Sequence, residues 1–103
     1  MRNDIHYITV EWLHALPSEP VQLYYELGTD RYERRKVEVY RDGTTHTASI
    51  THGQGMTFLA WEPHPLQNEI EADPQFRVSE LKAQDFEHFW EQATLRVLET
   101  AAV

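Results

Sequence analysis

The chain has 103 residues, 41% of them hydrophobic and 12% aromatic, with a net charge of −8 and no cysteine. That is the size and composition of one folded domain spanning 1–103, and it excludes disulfides, thiol catalysis and thiolate metal sites. The charge sets the whole-molecule field against polyanions, so neither nucleic acid nor an anionic membrane surface is an expected partner.

In chain order, "IHYITVEWLH" alternates: Ile8, Val10 and Trp12 fall on one face and Tyr7, Thr9, Glu11 and Leu13 on the other. This predicts a strand over Tyr7–Leu13. Pro17, Ser18 and Pro20 mark a turn. "VQLYYEL" predicts a second strand whose apolar residues are too dense to assign to faces, and "GTD" ends it. "YERRKVEVY" predicts a third strand, closed by Asp42-Gly43, a pair favoured in two-residue hairpin turns. With that turn, Val39 faces His46, Val37 faces Ala48 and Arg35 faces Ile50. The polar side then pairs Tyr40 with Thr45, Glu38 with Thr47, Lys36 with Ser49 and Arg34 with Thr51.

"THGQGM" reads as a loop, "TFLAW" as a short strand over 57–61, and "EPHP" as a break, because proline lacks a backbone donor. "PLQNEIEA" predicts a short helix opened by Pro65, with Leu66 and Ile70 on one face. Asp73-Pro74 ends it. "QFRVSEL" predicts a last strand. "AQDFEHFWEQATLRVLETAAV" predicts a long helix, with Phe86, Phe89, Trp90, Ala93 and Val97 at helical spacing. Gln84, Asp85 and Glu87 crowd the end where the helix dipole favours negative charge.

Together these elements predict an α+β fold: an antiparallel sheet of four to six strands, with the long C-terminal helix and the short helix packed on one face. Phe86, Phe89 and Trp90 are expected to meet Ile8, Val10, Trp12, Val37, Val39, Ala48 and Ile50. The opposite face is expected to stay polar and displayed.

The stretch Glu11–Gly43 resembles a family of small bacterial proteins of unknown function, about 100 residues long. The resemblance rests on a Trp-x-His segment at Trp12–His14, Glu-Pro-Val-x-Leu-Tyr at Glu19–Tyr24, Arg-Lys-Val-Glu at Arg35–Glu38, and the Asp-Gly pair. "EADPQF" and the aromatic C-terminal helix are similar too. These motifs describe strands and turns rather than a reaction, and the resemblance implies no catalytic residues.

Charge is uneven. Residues 31–61 carry five of the nine basic residues, Arg31, Arg34, Arg35, Lys36 and Arg41, against three acids, whereas residues 62–103 carry nine acids and three bases. Arg34, Lys36 and Tyr40, with Tyr7, Glu11 and Glu38, form a candidate polar binding surface on the sheet. A guanidinium is suited to gripping an oxyanion. The plainer alternative is that these cations pair with the protein's own carboxylates. Trp61 and His64, between Pro63, Pro65 and Glu62, form a stiff corner that serves either as an exposed anchor or as a strand end in the core.

The six histidines show no His-x-His or His-x-x-x-His spacing, and no metal or cofactor is expected. "THGQGMT" lacks the Lys-Ser/Thr of a phosphate loop. Glu11 and Glu38 would face each other if the first and third strands were neighbours, but no nucleophile or oxyanion donor accompanies them, and an enzyme is disfavoured.

No apolar run nears the ~18–20 residues of a membrane span. The charged start "MRNDIHYITVEW" also lacks the apolar core of a signal peptide, so a cytoplasmic protein is the expectation. The leading expectation is a small acidic protein-binding module with a basic protein partner, for example an immunity protein that occludes a basic toxin. The alternative is a small-molecule or anion-binding domain using the polar sheet face, and third comes an enzyme. Monomer and homodimer both stay open.

Overall fold

A computed structural model describes residues 5–50, 53–54 and 58–102. Strands β1 (His6–Trp12), β2 (Gln22–Leu27), β3 (Glu33–Val39), β4 (Thr45–Ser49) and β5 (Gly53–Gln54) are followed by helix α1 (Gln67–Glu71), strand β6 (Phe76–Glu80) and helix α2 (Ala83–Ala102). All strand pairs are antiparallel, in one sheet of order β5-β4-β3-β2-β1-β6. The fold is α+β.

The strand register sorts side chains onto two faces. Ile8 and Val10 of β1 pair with Tyr25 and Leu23 of β2, and these pair in turn with Lys36 and Glu38 of β3. Ile8, Val10, Leu23, Leu27 and Val78 form the buried cluster of this first face, and Ile70 of α1 packs against it with Trp12, Tyr25 and Phe76. The second face carries Tyr7, Tyr24, Glu26, Arg35, Val37 and Thr47. Helix α2 covers it: Phe86 is fully buried with its ring 5.4 Å from that of Tyr7, and Phe89 stacks on Tyr24 at 4.1 Å.

The two helices therefore lie on opposite faces of the sheet, not on one. Ile8, Val10, Trp12 and Ala48 face away from α2, and Ile50 is exposed, so their expected meeting with the helix aromatics is corrected. β2 is enclosed from both sides, with Leu23, Tyr25 and Leu27 on the first face and Tyr24 and the buried Glu26 on the second. The density of "VQLYYEL" is what a strand buried on two sides requires.

The β3–β4 hairpin is also shifted by one residue from the expected register. Lys36 pairs with Ala48, Val37 with Thr47 and Glu38 with His46. The loop has three residues, not two. Gly43 N–H donates to the Tyr40 carbonyl, Tyr40 N–H donates to the Thr44 carbonyl, and Gly43 takes φ +89°. This is a turn closed by a glycine bulge, a common three-residue solution. A one-residue slip turns every β4 side chain over. Thr51, placed opposite Arg34 by the expected register, lies outside the described residues.

Of the expected strand over 57–61, Thr57 lies outside the described residues, residues 58–60 are irregular and Trp61 sits in a bend. Pairing next to β4 falls to the two residues of β5 instead. At the other edge, Val78 has its N–H bound to a Glu71 carboxylate oxygen at 3.4 Å and its carbonyl bound by the Gln67 amide at 3.3 Å. Side chains of α1 thus occupy the edge that another strand would otherwise pair with.

Candidate functional site

Each basic residue of the 31–41 cluster has its own position. Arg31 adopts φ 67° and reaches the carbonyls of His64 and Pro65 at 3.0 and 2.7 Å, while its own carbonyl accepts His64 N–H at 2.7 Å. Glu33 accepts the N–H of Ala60 at 2.9 Å. Lys36, buried, donates to the Phe58 carbonyl and lies 3.6 Å from Glu38. Residues 58–65 thus form a strap laid antiparallel over 31–36 across the first face. Its anchors are side chains reaching backbone groups rather than a β ladder. Arg41 holds the His14 carbonyl at 2.7 Å, tying the hairpin tip to the end of β1.

Arg35 serves the second face. It grips both oxygens of Glu26, at 2.8 and 2.7 Å, and both oxygens of Glu87 on α2. Its guanidinium lies 4.9 Å from the Phe86 ring centre and 5.2 Å from that of Trp90. Tyr7 donates its hydroxyl to Glu26 at 3.0 Å. The Arg35 hydrogen bonds hold the Glu26 carboxyl below its ordinary range, against the opposing effect of burial. Burial and the Glu26 hydrogen bond push the Tyr7 phenol up. Arg34 sits at the irregularity where the β2–β3 register shifts, and it is exposed.

The expected polar surface is therefore not one surface. Tyr7 and Glu11 lie on the α2 side, whereas Lys36, Glu38 and Tyr40 lie on the other side. Glu11 and Glu38 are not neighbours: β2 separates them and they point to opposite faces. Glu11 is 3.8 Å from Arg77. Tyr40 donates to Glu38 at 3.1 Å, and burial followed by the Glu38 charge pushes its phenol up to about 12.

His64 does belong to a constellation, one that spacing could not reveal. Its ring lies 4.4 Å from the Tyr25 ring, and its Nε2 is 3.9 Å from a Glu33 oxygen. The side chain is 9% exposed and Nδ1 has no hydrogen-bond partner. Burial lowers the pKa of this histidine, and Glu33 only partly offsets the shift. The carboxylate beside the ring thus comes from β3 and not from the adjoining Glu62. Trp61 is not in the core: it is 94% exposed, and Phe58 on the same strap is 77% exposed.

Beside His64 and Pro65, between α1 and the first sheet face, lies a cleft of about 390 Å³. Val10, Leu23 and Ile70 form its floor, Trp12, Tyr25 and Phe76 its walls, and Glu69 and Asp73 also line it. A wider recess of about 810 Å³ near the start of α2 mixes Arg31 with Glu71 and Glu80, and Tyr7 is the aromatic residue lining it. Among the described residues, no group of three or more His, Asp or Glu side chains is placed to hold a metal ion. No helix there is long and apolar enough to cross a membrane.

A family model described as Domain of unknown function (DUF6881) matches residues 6–95. The chain belongs to that family. The match spans every described element except the last residues of α2. Neither a comparison with curated proteins nor one with solved structures finds a match.

Proposed function

We propose that this protein is a binding module for a basic protein partner, engaged through the strap side of the sheet. The observation that carries the reading is the strap itself. It is pinned from below by Arg31, Glu33 and Lys36, yet it turns Trp61 and Phe58 outward at 94% and 77% exposure. Large aromatics held on a tethered segment lose little conformational entropy on binding, and Trp is enriched among residues that dominate interface energetics.

Charge completes the reading. Arg31, Lys36 and Arg41 spend their charges on backbone carbonyls, and Arg35 on two carboxylates. Glu19, Asp30, Glu62, Glu69, Glu71, Asp73, Glu80, Asp85 and Glu91 remain on the surface. A net −8 displayed this way steers a cationic partner. An inhibitor of a basic enzyme, such as an immunity protein against a basic toxin, is the specific form of this reading. Anion binding at Arg34, Lys36 and Tyr40 is less well supported, since the Lys36 ammonium is buried and engaged.

The test is a tagged capture from lysate of the native organism with wild type and Trp61→Ala in parallel. The expected result is a basic protein held by wild type, released by moderate salt, and lost with the variant. A salt-resistant partner, a partner held equally by both, or no partner would overturn the reading.

A further inference from the structure

The cleft under the His64–Pro65 end of the strap has a composition that selects its ligand. Its volume of about 390 Å³ is near the low end of small-molecule sites, which run roughly 300–1,000 Å³. Trp12, Tyr25 and Phe76 are half-buried, and all three line the cleft. The Trp12 and Phe76 rings stand 5.7 Å apart and tilted by 33°. Neither lysine nor arginine lines the cleft, and its two acids are Glu69 and Asp73.

We propose that this cleft binds an alkylammonium group, with the apolar body of the ligand on Val10 and Ile70 and its cationic head between the aromatic walls and the two carboxylates. Aromatic faces attract a cation within about 6 Å of the ring centre, most strongly for Trp, and the interaction gains as water is excluded. An anion would meet two carboxylates with no cationic side chain to receive it. A neutral apolar ligand would find the floor but gain nothing from Glu69 and Asp73. His64 adds no opposing charge, because its burial favours the neutral ring.

The two carboxylates are also held in position. Glu69 accepts the Leu66 N–H at 2.9 Å and Asp73 accepts the Gln75 N–H at 3.0 Å, so both point from fixed backbone rather than from a mobile surface. This inference does not depend on the partner reading: the cleft and the outward-facing Trp61 are separate features. The alkylammonium could be a free amine or a lysine side chain carried by the partner.

The test is an NMR titration of the full chain with choline and, separately, with 3,3-dimethyl-1-butanol, its uncharged isostere. The expected result is that choline shifts the Trp12 indole N–H and binds roughly tenfold tighter than the alcohol. Glu69→Gln with Asp73→Asn keeps both backbone hydrogen bonds possible and is expected to abolish that preference while leaving the spectrum folded. A third titration compares a short peptide containing lysine with the same peptide containing acetyl-lysine. Choline binding alone assigns a free amine; peptide binding at the same indole assigns a lysine. Equal binding of choline and the alcohol, shifts that map away from Trp12, or silence from choline and the lysine peptide alike would overturn the proposal. The partner reading is tested by Trp61→Ala, which leaves these titrations unchanged, so either idea can fail without the other.

Discussion

Replacing Arg35 with Ala isolates the contribution of the second-face network. Glu26 is 8% exposed, and Arg35 supplies two of its three side-chain hydrogen bonds, Tyr7 the third. Removing Arg35 leaves a buried carboxylate with one neutral donor, and breaking a buried pair from one side costs ~3–5 kcal/mol. Glu87, whose side chain is 46% exposed, adds little beyond that, of the order of 0.2–1 kcal/mol for an exposed pair. The dominant cost is therefore an unpaired charge rather than lost contacts, and that makes a double variant informative. Glu26→Gln with Arg35→Ala has no charge to bury and is expected to be more stable than Arg35→Ala alone at neutral pH. The assay is urea unfolding followed by tryptophan fluorescence. An Arg35→Ala variant within about 1 kcal/mol of wild type, or a double variant no better than the single, would refute the reasoning. The pH response has a definite sign. In wild type the Glu26 carboxyl sits below its ordinary value of 4.5, so its contribution is complete above that value and is lost as pH falls through the lowered folded value. Arg35→Ala removes the largest cause of that lowering and leaves burial opposed only by the Tyr7 hydrogen bond and the Arg34 charge, so the carboxyl moves up relative to wild type. The gap between variant and wild type is then expected to narrow on acidification.

His64 gives a second pH signature. Its folded pKa is lowered from 6.5, so the folded state disfavours the proton, and stability is expected to fall as pH drops below 6.5. His64→Gln should lack that part of the slope, measured as urea midpoints across the range. Gly43→Ala is expected to cost about 1 kcal/mol, because a Cβ there meets nothing within 4 Å and φ +89° alone opposes it; thermal unfolding checks this. Lys36→Met removes the tether to the Phe58 carbonyl, and chymotrypsin is expected to cut after Phe58 and Trp61 several times faster than in wild type. Met at the exposed Arg34 is the control and should leave the cutting rate unchanged.

The elements were legible where one periodicity dominated. Strand β1, the aromatic-rich β2, β3 with its alternating charges, the Pro65-led α1 and the aromatic α2 all lie within a residue or two of expectation. Failures occurred where the deciding contact was not local. Asp42-Gly43 suits a two-residue turn by composition, but Gly43 closes a three-residue loop, and that difference turned β4 over. The alternation of β1 left Tyr7, Thr9 and Glu11 looking solvent-facing. For Tyr7 the cover is Phe86 of α2, more than seventy residues away in the chain, whereas the Glu11 side chain does stay about half exposed beside Arg77. "TFLAW" has the residues of a strand, yet Lys36 and Glu33 capture its backbone groups as a strap and leave Trp61 outside. Arg35 was placed correctly on the apolar side, but its seat over Phe86 and Trp90 needed the fold to show it. The cleft had no sequence signal, because its walls come from β1, β2 and β6, and its carboxylates from α1 and the turn after it.

The gathering of cations in an acidic chain now has a structural reason. A sheet whose first face is covered in part by an irregular strap needs fasteners, since neither the strap nor the hairpin tip has a ladder of its own. Arginine and lysine reach backbone carbonyls from a strand more than one residue away, and a charged donor makes a stronger hydrogen bond than a neutral one. Placing Arg31, Lys36 and Arg41 on carbonyls fastens the cover without neutralising the acids outside it, since Glu38, the carboxylate beside Lys36, is itself largely buried. Had those three cations paired with surface carboxylates, the strap would have lost its anchors and the surface part of its field. The same arrangement fixes the cover, turns Trp61 outward and leaves the exterior acidic. That is why the basic cluster, which resembles an anion site in the sequence, supports in the fold a surface suited to cations.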